Sequence, residues 1–115
     1  MSWLVTGGAG YIGSHVVQAL RDADIAPVVL DDLSSGFEQF VPEGVPLVKQ
    51  TLLDQVAVEQ AIRDHGVTGV IHIAGFKYAG VSVSRPLHTY EQNVSAMVIL
   101  LQEMEAAGVD KLVFS

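Results

Sequence analysis

Apolar residues along this chain come in two alternating rhythms, and the alternation runs from one end to the other. Trp3-Leu4-Val5 is a short apolar run stopped by Gly7 and Gly8, and from Tyr11 the positions Ile12, Val16, Ala19, Leu20 and Ala23 recur at helical spacing. Val28-Val29-Leu30 predicts a second strand, with Pro27 at its first residue, where a missing N–H is tolerated, and the polar turn Asp31-Asp32-Leu33-Ser34-Ser35-Gly36 after it. Residues 37–46 follow neither rhythm. Pro42 and Pro46 exclude a long element there, and Leu47-Val48 predicts a short third strand. Asp54 is placed to cap a helix with Val58, Ala61 and Ile62 on one face, and Gly66 closes it where left-handed backbone is needed. Gly69 then admits Val70-Ile71-His72-Ile73, the continuous apolar run of a parallel strand covered on both faces. The last predicted helix begins near Pro86, carries a stripe of Tyr90, Val94, Met97, Val98, Leu101 and Met104 assigned to core packing, and stops at Gly108. Lys111-Leu112-Val113-Phe114-Ser115 reads as a fifth strand.

Strands alternating with helices pair in parallel through right-handed crossovers. The expected fold class is therefore α/β, a doubly wound parallel sheet of Rossmann type, with five strands in the order 3-2-1-4-5 and one domain over residues 1–115. Its ligand crevice belongs at the carboxyl ends of strands one and four. An apolar strand at the last residues leaves a sheet edge uncovered, so the domain is expected to be incomplete at its C-terminus, with the substrate domain outside these residues, and to self-associate.

Composition narrows the chemistry. Six Lys+Arg against 13 Asp+Glu give a formal charge of −7, and the few basic residues form no cluster, which removes the electrostatic footprint of a nucleic-acid binder. Cysteine is absent, excluding disulfides, thiolate metal sites and a cysteine nucleophile. No apolar run reaches the ~18 residues of a membrane span, and the opening MSWLVTGG lacks the basic start of a signal peptide. A cytoplasmic location is the expectation. His15, His65 and His88 have no partner at ligand spacing, so no metal site is expected, and His72 is expected to be buried and hydrogen-bonded inside its strand.

The candidate chemistry starts at the first strand-to-helix turn. Thr6-Gly7-Gly8-Ala9-Gly10-Tyr11-Ile12-Gly13 satisfies G-x-G-x-x-G at 8, 10 and 13, and G-x-x-G-x-x-G at 7, 10 and 13. Gly7 and Gly8 permit the tight turn, Gly10 lets a pyrophosphate approach the backbone, and Gly13 lets the helix lie close, its N-terminal N–H groups aimed at phosphate. The turn follows a predicted strand, opens a predicted helix and precedes an acid, Asp31, eighteen residues past Gly13. Asp31 is placed to accept hydrogen bonds from ribose hydroxyls and to repel a 2′-phosphate, which selects NAD over NADP. Asp32 beside it adds to that repulsion, or is a solvated turn residue.

With these residues in view, Thr6-Gly7-Gly8-Ala9-Gly10-Tyr11-Ile12-Gly13-Ser14-His15 resembles the opening of extended short-chain dehydrogenases/reductases that act on nucleotide sugars. His72-Ile73-Ala74-Gly75-Phe76-Lys77, followed by Ser82-Val83, Arg85-Pro86-Leu87, Tyr90 and Asn93-Val94, resembles the corresponding pattern of UDP-glucose 4-epimerases, and the similarity runs over residues 3–115. The resemblance implies that Gly7, Tyr11, Ile12 and Asp31 touch NAD, and that Ala74, Gly75 and Lys77 line it beside the fourth strand. It adds Asn93 from the last helix and Ser115, with the catalytic Ser/Thr just beyond. It also implies an isomerase interconverting UDP-glucose and UDP-galactose at C4 through a 4-keto intermediate, the hydride parked on tightly retained NAD. For Lys77 a surface lysine, and for Asn93 a core amide, remain competing readings. The sequence departs from the pattern in three places. Thr51 stands where the family has an Asp that holds adenine, and Asp32 stands where it has an Asn. Tyr-x-x-x-Lys is absent, since Tyr11, Tyr78 and Tyr90 are followed four residues on by His15, Ser82 and Val94. No catalytic residue is therefore assigned within these residues, and the chain alone is expected to be inactive. The alternatives are a sister nucleotide-sugar dehydratase, decarboxylase or reductase, or a non-catalytic NAD-binding module.

Overall fold

The computed structural model describes residues 1–74 and 84–115. Five parallel strands, β1 (Ser2–Thr6), β2 (Ala26–Leu30), β3 (Leu47–Val48), β4 (Val67–His72) and β5 (Leu112–Phe114), form one sheet in the order β3-β2-β1-β4-β5. Helix α1 (Tyr11–Asp22) connects β1 to β2, and α2 (Gln55–Asp64) connects β3 to β4. Ahead of β5 lie α3 (Pro86–Tyr90), a π-helical turn (Glu91–Ser95) and α4 (Ala96–Ala107). The predicted topology is the observed one.

Alternation along the strands builds two cores. Leu4, Val28, Leu30 and Val70 face α2 and α4, meeting Val58, Ala61, Ile62, Leu100 and Met104. Val5 and Val29 face the other way, onto Val17 and Leu20 of α1. Pro27 fits its strand for a readable reason. Ala26 N–H bonds the Met1 carbonyl on the β1 side and Val29 N–H bonds that of Pro46 on the β3 side, so position 27 points toward β3 two residues before that ladder starts at Val29 and Leu47.

Several boundaries and faces differ from the sequence reading. In α1 the buried residues are Gly13, Val17 and Leu20, while Ile12 is exposed and turned to the cleft described below. Gly69 does not open β4 but lies inside it, because the Trp3 ring occupies the space its Cβ would take; residues 67–68 precede it in the strand. Residues 38–40 form a single 3-10 turn. The largest correction concerns the last helix. Tyr90, Val94, Val98 and Leu101 are exposed, and the buried face of α4 is Ala96, Leu100, Glu103 and Met104. Met97 is partly buried against the core, so of the predicted stripe only Met97 and Met104 pack inward. The physical reason lies in the sequence of the helix itself: Ala96-Met97-Val98-Ile99-Leu100-Leu101 is apolar on every side, so periodicity does not select the face that packs. Asp54 does cap α2, its side chain accepting the Ala57 N–H at 3.1 Å, and Gly66 adopts φ +58° beyond the helix end.

Candidate functional site

The carboxyl ends of β1, β2 and β3 open onto a cleft of about 340 Å3. Gly7, Gly10, Tyr11, Ile12 and Gly13 line it from the first turn, Asp31, Asp32, Ser34, Ser35 and Gly36 from the turn after β2, and Gln50, Thr51 and Leu52 from the turn after β3. Leu30, Ile73, Ala74, Gln92 and Ala96 complete the described wall.

The first turn is shaped by steric room as well as by freedom of rotation. Gly7 has φ +72°, its N–H bonds the Leu30 carbonyl at 2.9 Å, and a Cβ there would sit 2.8 Å from Ala74 N. Gly8, expected to serve the turn's conformation, serves packing: its Cβ would meet the Val29 methyls at 2.8–2.9 Å. A Cβ on Gly13 would run into the Gly7 carbonyl oxygen, so this glycine lets the helix start against the turn itself. Gly10 has open space around it, with Gly7 O at 3.4 Å as the one neighbour. As N-cap of α1 it offers no side-chain oxygen, and the first intrahelical bond is Ser14 N–H to Gly10 O at 2.9 Å. The N–H groups of the first helical turn are thus left to an outside acceptor, with no acidic side chain among them.

Asp31 is fixed by backbone. Its Oδ2 accepts the Ala9 N–H at 3.0 Å and its Oδ1 accepts the Leu33 N–H at 2.8 Å, joining the end of β2 to the glycine turn. A carboxylate has about four lone-pair sites. Two are used here, which leaves acceptor capacity on a residue that lines the cleft. Asp32 is exposed and accepts the Ser34 N–H at 2.9 Å, the turn role weighed for it, while also lining the cleft. The second wall is tied to the first through Thr6, which is fully buried. Its Oγ1 accepts from Ile73 N–H at 3.1 Å and Ala74 N–H at 3.2 Å, and shares a hydrogen bond with His72 Nδ1 at 2.7 Å. His72 is buried and bonded as expected.

Of the other candidates, Ala74 lines the cleft. Gly75 and Lys77, with Phe76, Ser82 and Val83, lie outside the described residues. Asn93 is exposed within the π-helical turn, and its neighbour Gln92 lines the cleft. Ser115 bonds through its N–H to the His72 carbonyl at 3.1 Å and does not line the cleft. Gln50, Ser34 and Ser35 carry no assignment from the sequence, although position directly after a strand or after Asp31 in this topology is the signal that finds them. Among the described residues no group of His, Asp or Glu could hold a metal ion, and no helix is long and apolar enough to cross a membrane.

Three comparisons with known proteins converge on this arrangement. Residues 3–115 match the model of the NAD dependent epimerase/dehydratase family. The chain is 46% identical over 112 residues to UDP-glucose 4-epimerase of Azospirillum brasilense, covering 97% of the chain and 32% of that protein. It is 38% identical over 125 aligned residues to the human UDP-glucose 4-epimerase, covering 97% of the chain and 36% of that protein. Among solved structures, the Thermus thermophilus UDP-glucose 4-epimerase in complex with NAD superimposes with a TM-score of 0.96 at 42% identity, over 99% of the chain and 37% of that structure. The Thermotoga maritima UDP-glucose 4-epimerase with UDP-glucose gives 0.95 at 33% identity, over 99% and 37%. The chain spans about a third of the length of the relatives it matches.

Proposed function

The chain belongs to the NAD dependent epimerase/dehydratase family, and on that premise we propose that it is the NAD-binding part of an enzyme that inverts C4 of a UDP-sugar, interconverting UDP-glucose and UDP-galactose. The observation that carries the reading is the pairing of an uncapped α1 N-terminus, opened by Gly10 and Gly13, with an Asp31 carboxylate held at the end of the neighbouring strand. The first supplies N–H donors and the positive end of a helix dipole to a pyrophosphate. The second supplies acceptors to the ribose that follows. The residues fit a dinucleotide: the space that a Cβ would fill is left open where phosphate must approach, and the carboxylate, which lines the cleft, keeps lone pairs that its two backbone bonds do not use.

Bound NAD supplies a reversible hydride acceptor, and this chain's residues bind, orient and discriminate. Asp31 and Asp32, with no Arg or Lys among the described residues lining the cleft, oppose a 2′-phosphate. Gln92 and Ala96 place the end of the last helix across from the glycine turn, and Ala74 offers a wall with little bulk. Proton transfer to and from a sugar hydroxyl needs a general base, and Tyr-x-x-x-Lys is absent from these 115 residues, so turnover belongs to the whole protein, in the cytoplasm. Titration of the whole protein with NAD and NADP, followed by assay on UDP-galactose, tests the reading. We expect NAD to bind at least about tenfold more tightly, the worth of one well-placed charge-assisted contact. Equal affinity for the two dinucleotides would overturn the assignment of Asp31.

We also propose that the chain by itself associates with a second copy. Val94, Val98 and Leu101 on the last helix and Val113 and Phe114 on the edge strand β5 are exposed apolar residues next to unpaired strand N–H and C=O groups. The net charge of −7 opposes contact only within the ~8–10 Å screening length of ordinary buffers. Sedimentation of the 115-residue chain over a concentration series should show mass rising with concentration. A monomer at every concentration would refute it.

A further inference from the structure

Ala9, fully buried in the glycine turn, has both of its backbone polar groups taken by the turn after β2. Its N–H goes to Asp31 Oδ2 at 3.0 Å, and its carbonyl accepts the Phe37 N–H at 3.0 Å. The second bond depends on Gly36. A Cβ there would lie 2.9 Å from the Ala9 carbonyl oxygen and 3.0 Å from its carbon, and Gly36 is not among the glycines with positive φ. Contact, not freedom of rotation, keeps a side chain out of this position.

The segment that delivers the bond is braced from its other side. Phe40 N–H bonds the Phe37 carbonyl at 2.9 Å, Val41 N–H bonds that of Glu38 at 3.0 Å, and Val41 packs against the core on the α1 side. A methyl at 36 would therefore press on the Ala9 carbonyl, and the Phe37 bond beside it would be bent or broken. The peptide that carries this carbonyl also carries the Gly10 N–H, which bonds Gly7 O at 3.1 Å, and Gly10 is the N-cap from which α1 starts. The orientation of that one peptide sets where the first N–H groups of the helix point. We propose that Gly36, together with the Phe37 N–H, positions the phosphate-binding end of α1 by fixing the Ala9–Gly10 peptide. The inference rests on the dinucleotide reading of the cleft. Helix N–H groups hold an anion well when their own supporting bonds hold them in place. Gly36 itself lines the cleft, but an alanine methyl would be aimed at Ala9, so its effect on a ligand runs through the glycine turn.

The proposal is tested by binding of NAD, ADP and adenosine to the whole protein freed of nucleotide, measured by equilibrium dialysis on the unsubstituted protein, Gly36→Ala and Glu43→Gln. ADP carries the pyrophosphate and adenosine does not. Gly36→Ala should weaken NAD and ADP about tenfold, the worth of one buried hydrogen bond. Adenosine should bind as before, because Asp31 keeps the Leu33 N–H at 2.8 Å as its second anchor. Glu43→Gln, an exposed change in the same connection between β2 and β3, should alter none of the three. A Gly36→Ala protein that keeps NAD and ADP, or loses adenosine to the same degree, overturns the positioning role while the dinucleotide reading stands, and so does an equal loss in Glu43→Gln. A second measurement needs no substitution. ADP should slow hydrogen exchange at the Phe37 amide of the unsubstituted protein several-fold and adenosine should not, since a ligand held by the glycine turn must in return strengthen what holds that turn. Unchanged exchange with ADP bound overturns the role as well. If the unsubstituted protein binds neither NAD nor ADP, the dinucleotide reading falls and this inference with it.

Discussion

Gly13→Ala should cost the protein both its dinucleotide and a large share of its stability, whereas Gly10→Val should cost it the dinucleotide alone. The two glycines lie three residues apart in one turn and line the same cleft, yet the space around them differs. A methyl at 13 would collide with the Gly7 carbonyl and come within 2.8 Å of Gly8 Cα, all of it backbone held by the Gly7 N–H bond to Leu30. Backbone cannot swing aside as a flexible side chain can, so the start of α1 must lift off the turn. Overpacking of this kind costs ~1–3 kcal/mol and at rigid sites more, against a total of ~5–15 kcal/mol for a domain. The thermal midpoint should fall by roughly 5–10 °C or more. At position 10 the backbone has φ −85° and ψ 179°, extended geometry that a β-branched residue adopts readily, and the nearest atom to a Cβ is Gly7 O at 3.4 Å. Valine there should leave the melting temperature nearly unchanged and fill the approach to the helix N–H groups, weakening NAD by about a hundredfold or more. Calorimetric melting and NAD titration of both variants separate the two effects. A Gly10→Val protein that keeps NAD would place the dinucleotide elsewhere.

Asp31→Ala should be the most damaging change outside the glycine turn. Besides the acceptors offered to ribose, it removes the partner of Ala9 N–H at 3.0 Å and of Leu33 N–H at 2.8 Å, leaving two partly buried donors without their acceptor and releasing the turn after β2 from the turn after β1. Leu33 holds φ +63°, a costly conformation for a side-chain-bearing residue, so this turn has strain to relieve once the carboxylate is gone. Hydrogen bonds to a charged group are worth ~1.5–3 kcal/mol each, and we expect NAD affinity to drop by about tenfold to a hundredfold, with the preference over NADP largely lost. Asp31→Asn should be milder, since its one remaining oxygen can still take one of the two N–H groups. Comparing the two variants against both dinucleotides checks this. An undiminished NAD preference in Asp31→Ala would assign discrimination to Asp32 instead.

The fold was legible because every crossover carried its own punctuation. Gly7 after β1, the Asp31–Gly36 turn after β2, the Asp54 cap and Gly66 around α2 and Gly108 after α4 mark boundaries by local chemistry, and parallel order follows from the alternation. The glycine turn and the turn that carries Asp31, two walls of the cleft, were legible for the same reason. Tertiary packing was hidden where two patterns overlap. The last helix carries more apolar residues than one face can bury, so periodicity alone could not choose between Leu101 and Leu100. Gly69 read as a boundary because what excludes its side chain is the Trp3 ring, a neighbour 66 residues away in sequence. Gln50 carries no motif of its own, and only the placement of β3 beside β2 brings it to the cleft.

The Trp3 ring on Gly69 gives the molecule an optical signature. Trp3 is the sole tryptophan of the chain, its indole Nε1 is shielded from solvent with no hydrogen-bond partner among the described residues, and its ring bridges β1 and β4. Indole emission shifts to the blue when water is kept from the N–H, so the colour of the fluorescence follows whether these two central strands are zipped together. Excitation at the red edge of the absorption band selects this one chromophore, and red-shifted emission marks the parting of β1 from β4 even when the helices persist.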